Sequence, residues 1–161
     1  MTGNPHRFST AALAVSLLLA VTLDAKAESP FTALDGAWRG GGSVRLENGK
    51  TERLKCKGYY NQKSGGTGLS IAIDCGSTGF KINMRASLAY SNGQVSGTWE
   101  EREFNQSGSV TGKASPGKIN LSIAGNITGS MSISSGGGSQ SVSISTGGPG
   151  FRGANLQFSK I

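Results

Sequence analysis

From residue 37 to the C-terminus, apolar and polar residues alternate in short runs that Gly, Asn or Pro interrupts about every twelve residues. A period of two sends successive side chains to opposite faces of a strand, so each run predicts a strand with one buried face. Leu69, Ile71 and Ile73 share such a face, as do Phe80, Ile82 and Met84, then Ile119, Leu121 and Ile123, then Ile127, Met131 and Ile133. Val142 pairs in face with Ile144, and Leu156 with Phe158. The pattern predicts about ten strands, over 37–46, 51–60, 69–75, 80–90, 94–103, 107–114, 118–124, 127–134, 140–146 and 152–160. No window carries a helical apolar period, apart from one short turn at 31–34.

Turn residues convert this pattern into register, because a slip of one residue would reverse every face. A two-residue turn at Asn92-Gly93 sets Tyr90 opposite Val95, Leu88 opposite Gly97 and Ala86 opposite Trp99. A turn at Pro116-Gly117 sets Ala114 opposite Ile119, Gly112 opposite Leu121 and Val110 opposite Ile123. At Asn48-Gly49 a two-residue turn would bring Val44 against Arg53. A three-residue loop, 48–50, is therefore expected, pairing Val44 with Leu54 and Gly42 with Cys56. A hairpin near Gly65-Gly66 then brings Cys56 to face Cys75 on the apolar side.

A meander of this length with no helix to cover its edges is expected to close on itself. Gly40, Gly42, Gly58, Gly97, Gly108, Gly112 and Gly129 fall on the inward face, where they permit the tight coiling of a small barrel. They could equally leave room inside. The fold class is therefore all-β, an antiparallel meander barrel of about eight to ten strands.

The N-terminus changes the compartment. Arg7, an apolar run over 11–23 and Ala25-Lys26-Ala27 read as a secretory signal over 1–27, leaving 28–161 as a single β-barrel domain. The apolar run is short for a membrane span, and no later stretch is continuously apolar, so an integral membrane protein is not expected. A periplasmic or secreted location follows. In that compartment the two cysteines, Cys56 and Cys75, are expected to form one disulfide; a reactive pair would want the C-x-x-C spacing that is absent.

Composition narrows the chemistry. The single histidine, His6, lies in the signal, which removes Ser-His-Asp and Cys-His catalysis and most zinc sites. No metal or cofactor is expected. In the acidic cluster Trp99-Glu100-Glu101-Arg102-Glu103, alternation points Glu101 and Glu103 inward with Trp99; alternatively the strand leaves the barrel there and both are wet. One carboxylate without a partner base is not a reaction, so an enzyme is not expected.

The formal net charge is +7. Arg39, Arg45, Arg53, Lys55 and Lys57 share the outward parity of the first hairpin and form one basic strip, with Lys50 and Lys63 at its turns. Such a strip draws anionic surfaces. Nucleic acid is disfavoured, because Tyr59 is the one aromatic available there for stacking bases. The outward faces of the later strands are Ser, Thr and Asn, and the glycine-rich loops 135–140 and 146–150 lack the ending of a phosphate-binding loop.

The opening Phe31-x-x-Leu34-x-Gly36-x-Trp38, with a meander behind it, resembles the calycin barrels: lipocalins, fatty-acid-binding proteins and avidins. The resemblance implies that Trp38 plugs one end and that a basic residue of the last strand packs on it. Lys160 has the parity for that role, whereas Arg152 would sit at the other end. Trp38-x-Gly40-x-Gly42, Glu52-x-x-x-Cys56-x-x-x-Tyr60, Cys75 and the Gly/Ser-rich later strands also look like a group of small exported bacterial proteins without an assigned activity. That likeness implies compartment and fold, and supplies no function.

Two functions remain open. The first is binding of a small apolar or amphipathic ligand between the strands, with Tyr60, Tyr90, Trp99 and Glu101 near the open end. The alternative is a filled structural barrel that meets an anionic envelope surface, a polymer, lipid or protein, through its basic strip.

Overall fold

The structure is a computed structural model that describes residues 1, 3, 28–147 and 149–161. The expected export signal, apart from residues 1 and 3, lies outside the described residues. Ten antiparallel strands follow one another: β1 (Gly36–Leu46), β2 (Thr51–Lys63), β3 (Gly68–Gly76), β4 (Lys81–Ser91), β5 (Gln94–Glu101), β6 (Gln106–Ser115), β7 (Lys118–Gly125), β8 (Gly129–Gly136), β9 (Ser139–Thr146) and β10 (Phe151–Lys160). Each pairs with its sequence neighbours, and β10 returns to β1, closing the barrel. Full closure leaves no unpaired edge, the solution open to a chain without covering helices.

The two-residue turns expected at Asn92-Gly93 and Pro116-Gly117 hold. Tyr90 pairs with Val95, Leu88 with Gly97 and Ala86 with Trp99. Ala114 pairs with Ile119, Gly112 with Leu121 and Val110 with Ile123. Asn92 and Gly93 both take positive φ, at 48° and 80°, as a type I′ turn requires. Cys56 pairs with Cys75, and the two form a disulfide.

The first hairpin departs from expectation by two residues of pairing. Val44 lies opposite Glu52, Gly42 opposite Leu54 and Gly40 opposite Cys56. Its loop has three residues, Glu47, Asn48 and Gly49, one position earlier than expected, with Leu46 N donating to Lys50 O at 2.8 Å. Asn48 explains the placement: its Oδ1 accepts from Lys50 N at 3.0 Å, while Gly49 supplies a φ of +81°. A two-residue shift preserves parity, so every inward residue stayed inward.

Two strand ends also move. The strand expected over 94–103 stops at Glu101, and 102–105 form a turn in which Glu103 is exposed rather than inward. The strand expected from 127 begins at Gly129, although Ile127 is buried before it.

The inward glycines mark places where strands approach too closely for a side chain. A Cβ on Gly42 would stand 1.9 Å from Asn155 O, and one on Gly112 would stand 2.0 Å from Asn120 O. Gly58 differs, since its Cβ would meet the Tyr60 ring at 3.0 Å. These glycines therefore serve the coiling of the wall.

One end of the barrel is plugged. Residues 30–34 turn beneath the strands, with Leu34 N donating to Phe31 O at 3.0 Å, and Phe31 and Leu34 are fully buried. Trp38 is 1% exposed; its Nε1 donates to Leu34 O at 2.7 Å, and its ring meets Tyr60 edge-on at 6.3 Å. Across the closing seam Trp38 pairs with Lys160, whose Nζ lies 5.7 Å from the indole centroid. Arg152 stands at the opposite end, 3.4 Å from Glu47. Leu69, Val95 and Ile119, each at the start of its strand on the plugged side, are buried above the plug, and each such side chain is worth about 1.5–3 kcal/mol of burial.

Candidate ligand cavity

Strand direction assigns each loop to an end. The plug occupies the end where β1 begins; 47–50, 77–80, 102–105, 126–128 and residues 147, 149 and 150 gather at the other. Toward that second end several inward apolar side chains are not fully buried. Ile82, Met84, Ala86, Ile123, Met131 and Ile144 are only partly buried although they face inward. They surround a cavity of about 270 Å³, near the lower limit of small-molecule sites.

Tyr60 and the aromatics Phe80, Trp99, Phe104 and Phe151 line it. Phe80 and Phe104 pack against one another at the mouth, with ring centroids 5.4 Å apart and an interplanar angle of 30°, and Phe104 remains 47% exposed. Trp99 sits between Ala86 on β4 and Gly108 on β6, small neighbours that leave room for the indole. Its Nε1 is buried without an acceptor among the described residues.

Glu101 also borders the cavity, but its carboxylate is occupied. Oε1 accepts from Asn83 N at 2.6 Å and Oε2 from Phe104 N at 2.7 Å. The side chain thus ends β5, ties the turn to β4 and holds Phe104 over the mouth. It is a positioning residue for the rim, a role that alternation could not reveal.

Tyr60 forms part of the floor, not of the mouth. Its hydroxyl donates to Gln140 Oε1 at 3.0 Å, an isolated polar pair in the barrel interior. Burial pushes the phenol up to about 12, and the hydrogen bond with Gln140, whose Nε2 has no partner among the described residues, offsets part of that rise. Because the folded-state value lies above the unfolded 10.0, the stabilisation is complete below pH 10 and is lost as pH rises toward 12. Urea unfolding should show roughly 2–3 kcal/mol lost across that window, and Tyr60→Phe should remove this component.

Tyr90 does not reach the cavity. It stands at the plugged end, where its ring packs against Phe31 at 6.0 Å. Parity placed it on the correct face, but its height along β4 puts it under the N-terminal turn. Of the four expected contact residues, Tyr60, Trp99 and Glu101 border the cavity and Tyr90 does not. Phe80, Phe104 and Phe151 were not expected as lining residues; Phe80 directly precedes β4, Phe104 lies in the turn after β5 and Phe151 opens β10, positions that strand direction assigns to the open end.

Arg39, Arg45, Arg53, Lys55 and Lys57 are all exposed on β1 and β2, and Arg39 lies directly opposite Lys57. Among the described residues no helix is long and apolar enough to cross a membrane.

No protein-family model matches the chain, and no curated protein matches it. A solved structure, that of Rv2717c from Mycobacterium tuberculosis, is similar to it with a TM-score of 0.66 at 12% identity, covering 84% of this chain and 99% of that one. At that identity the likeness shows a shared β-barrel fold.

Proposed function

We propose that the barrel is an exported, non-catalytic carrier that receives a small apolar or amphipathic ligand through its open end. The observation that carries this reading is the ring of inward apolar side chains left partly buried around a cavity of about 270 Å³. Apolar surface inside a barrel is stabilised by cover, and a ligand supplies that cover. The plug of Trp38 and Lys160, with the turn at 30–34 beneath it, supports a calycin-like arrangement in which one end is closed and the other receives the ligand. The disulfide supports an oxidising compartment, periplasmic or secreted. Among the described residues lining the cavity Glu101 is the one carboxylate, and two backbone amides already hold it, which favours binding over catalysis.

The test is fluorescence of Trp99 against a panel of single-chain lipids, porphyrins and vitamins. A saturable change is expected for at least one class. Ala86→Phe, which adds a ring beside Trp99, should weaken that ligand tenfold or more while thermal unfolding stays cooperative. A signal that remains flat across the panel overturns the carrier reading.

A further inference from the structure

We propose that the outer face of β1 and β2 docks the barrel lengthwise on a linear acidic polysaccharide. The proposal stands apart from the cavity and does not need it.

Strand alternation sets the geometry. On β2, Arg53, Lys55 and Lys57 point outward at every second residue, about 6.6 Å apart at the strand rise, and Tyr59 continues the row. On β1, Arg39 faces Lys57 directly, and Arg45 lies one step beyond Ser43, which faces Arg53. Like charges directly opposed across strands oppose folding. The fold nevertheless leaves them unneutralised: among the described residues, none of the five forms an ion pair.

Acidic groups are present nearby but are committed elsewhere. Asp74 lies opposite Lys57, yet its carboxylate is 3.1 Å from Arg85. Glu100 is paired with Arg102, and Glu47 with Arg152. The positive charge along β1 and β2 is therefore open to an external anion.

The shape of the patch selects among anions. Its flank on β10 carries Asn155, Gln157 and Ser159, all exposed and uncharged. Lys55 has Gly41 on one side and Gly76 on the other, so no side chain walls it in. The charge forms a line, not a plate. A bilayer would want apolar anchors around the charges, and Tyr59, 52% exposed, is the one large apolar side chain exposed there among the described residues. Single-stranded nucleic acid would want several stacking aromatics along the row. A chain of acidic sugars needs a line of cations at a regular spacing, and one aromatic face against a sugar ring is enough.

Polygalacturonate, which carries a carboxylate on each sugar, is the probe. The full mature chain should bind it, and the affinity should fall at least tenfold between about 50 and 200 mM salt, as a contact made by several cations requires. The triple variant Arg53→Glu, Lys55→Glu, Lys57→Glu should lose at least tenfold in affinity, while Lys113→Glu with Lys118→Glu, on β6 and β7, should retain binding. Thermal unfolding of the triple variant should remain cooperative, since all three side chains are exposed; if it does not, Lys55→Gln with Lys57→Gln should still weaken binding measurably. Absence of binding, retention after reversal, or tighter binding to phosphatidylglycerol vesicles or to oligo-dT than to polygalacturonate overturns the proposal.

Discussion

Trp38→Ala should lower the folding free energy by roughly 3–5 kcal/mol, the range for removing a buried aromatic side chain. The ring is 1% exposed and joins three parts of the chain distant in sequence. It reaches the N-terminal turn through its bond to Leu34 O, β2 through Tyr60, and the closing seam through Lys160. Alanine would open a void among fully buried neighbours, Phe31 and Leu34, and leave Leu34 O without its donor. Trp38→Phe separates these contributions: it keeps most of the packing and loses the hydrogen bond, and should cost about 1–2 kcal/mol. Urea unfolding measures both. An alanine variant within 1 kcal/mol of the parent protein would mean that the barrel closes without this ring.

Removing the disulfide by Cys56→Ala with Cys75→Ala should cost about 3 kcal/mol on the chain-entropy argument for a loop of this length. The cysteines are 19 residues apart and face one another across β2 and β3. The bridge constrains the unfolded chain at the hairpin built on Ser64, Gly65 and Gly66, where a 3-10 turn with positive φ at all three residues is conformationally demanding. Both sulfurs are also on the inward face, and Cys75 borders the cavity, so the substitution enlarges the space beside Ile73 as well. Comparing urea midpoints of the parent protein with and without reductant isolates the covalent contribution from the packing one. Equal midpoints would show that the hairpin is held by its strands alone.

Legibility followed how local each determinant is. The Asn92-Gly93 hairpin was readable residue by residue because two consecutive positive-φ positions leave one register. Asn48-Gly49 uses the same dipeptide in a longer loop, where Asn48 bonds to Lys50 N and the chain turns one residue sooner. That error spanned two residues of pairing and so left the faces correct. The end of β5 was not readable, because Glu101 stops the strand through amides of Asn83 and Phe104, one from a neighbouring strand and one from the turn. Tyr90 shows the same limit at the other end: its face was right and its neighbours were not, since Phe31 reaches it from a segment 59 residues away in sequence.

By itself the sequence determined the all-β class, the inward and outward face of nearly every strand residue and the pairing of Cys56 with Cys75; the meeting of Trp38 with Lys160 followed from the calycin resemblance together with the parity of Lys160. Period-two alternation and turn chemistry act within a few residues, and an even number of strands brings the last beside the first. The tertiary structure alone decided that Glu101 is spent on the backbone, that Tyr60 is floor and Tyr90 lies outside, and that Phe80 and Phe104 stand at the mouth. It also decided that inward side chains toward the open end border a cavity of about 270 Å³. An empty volume depends on the circumference of the closed wall, and that circumference is set by how closely ten strands approach at glycines such as Gly42 and Gly112, a sum over the whole barrel that no single run of residues contains.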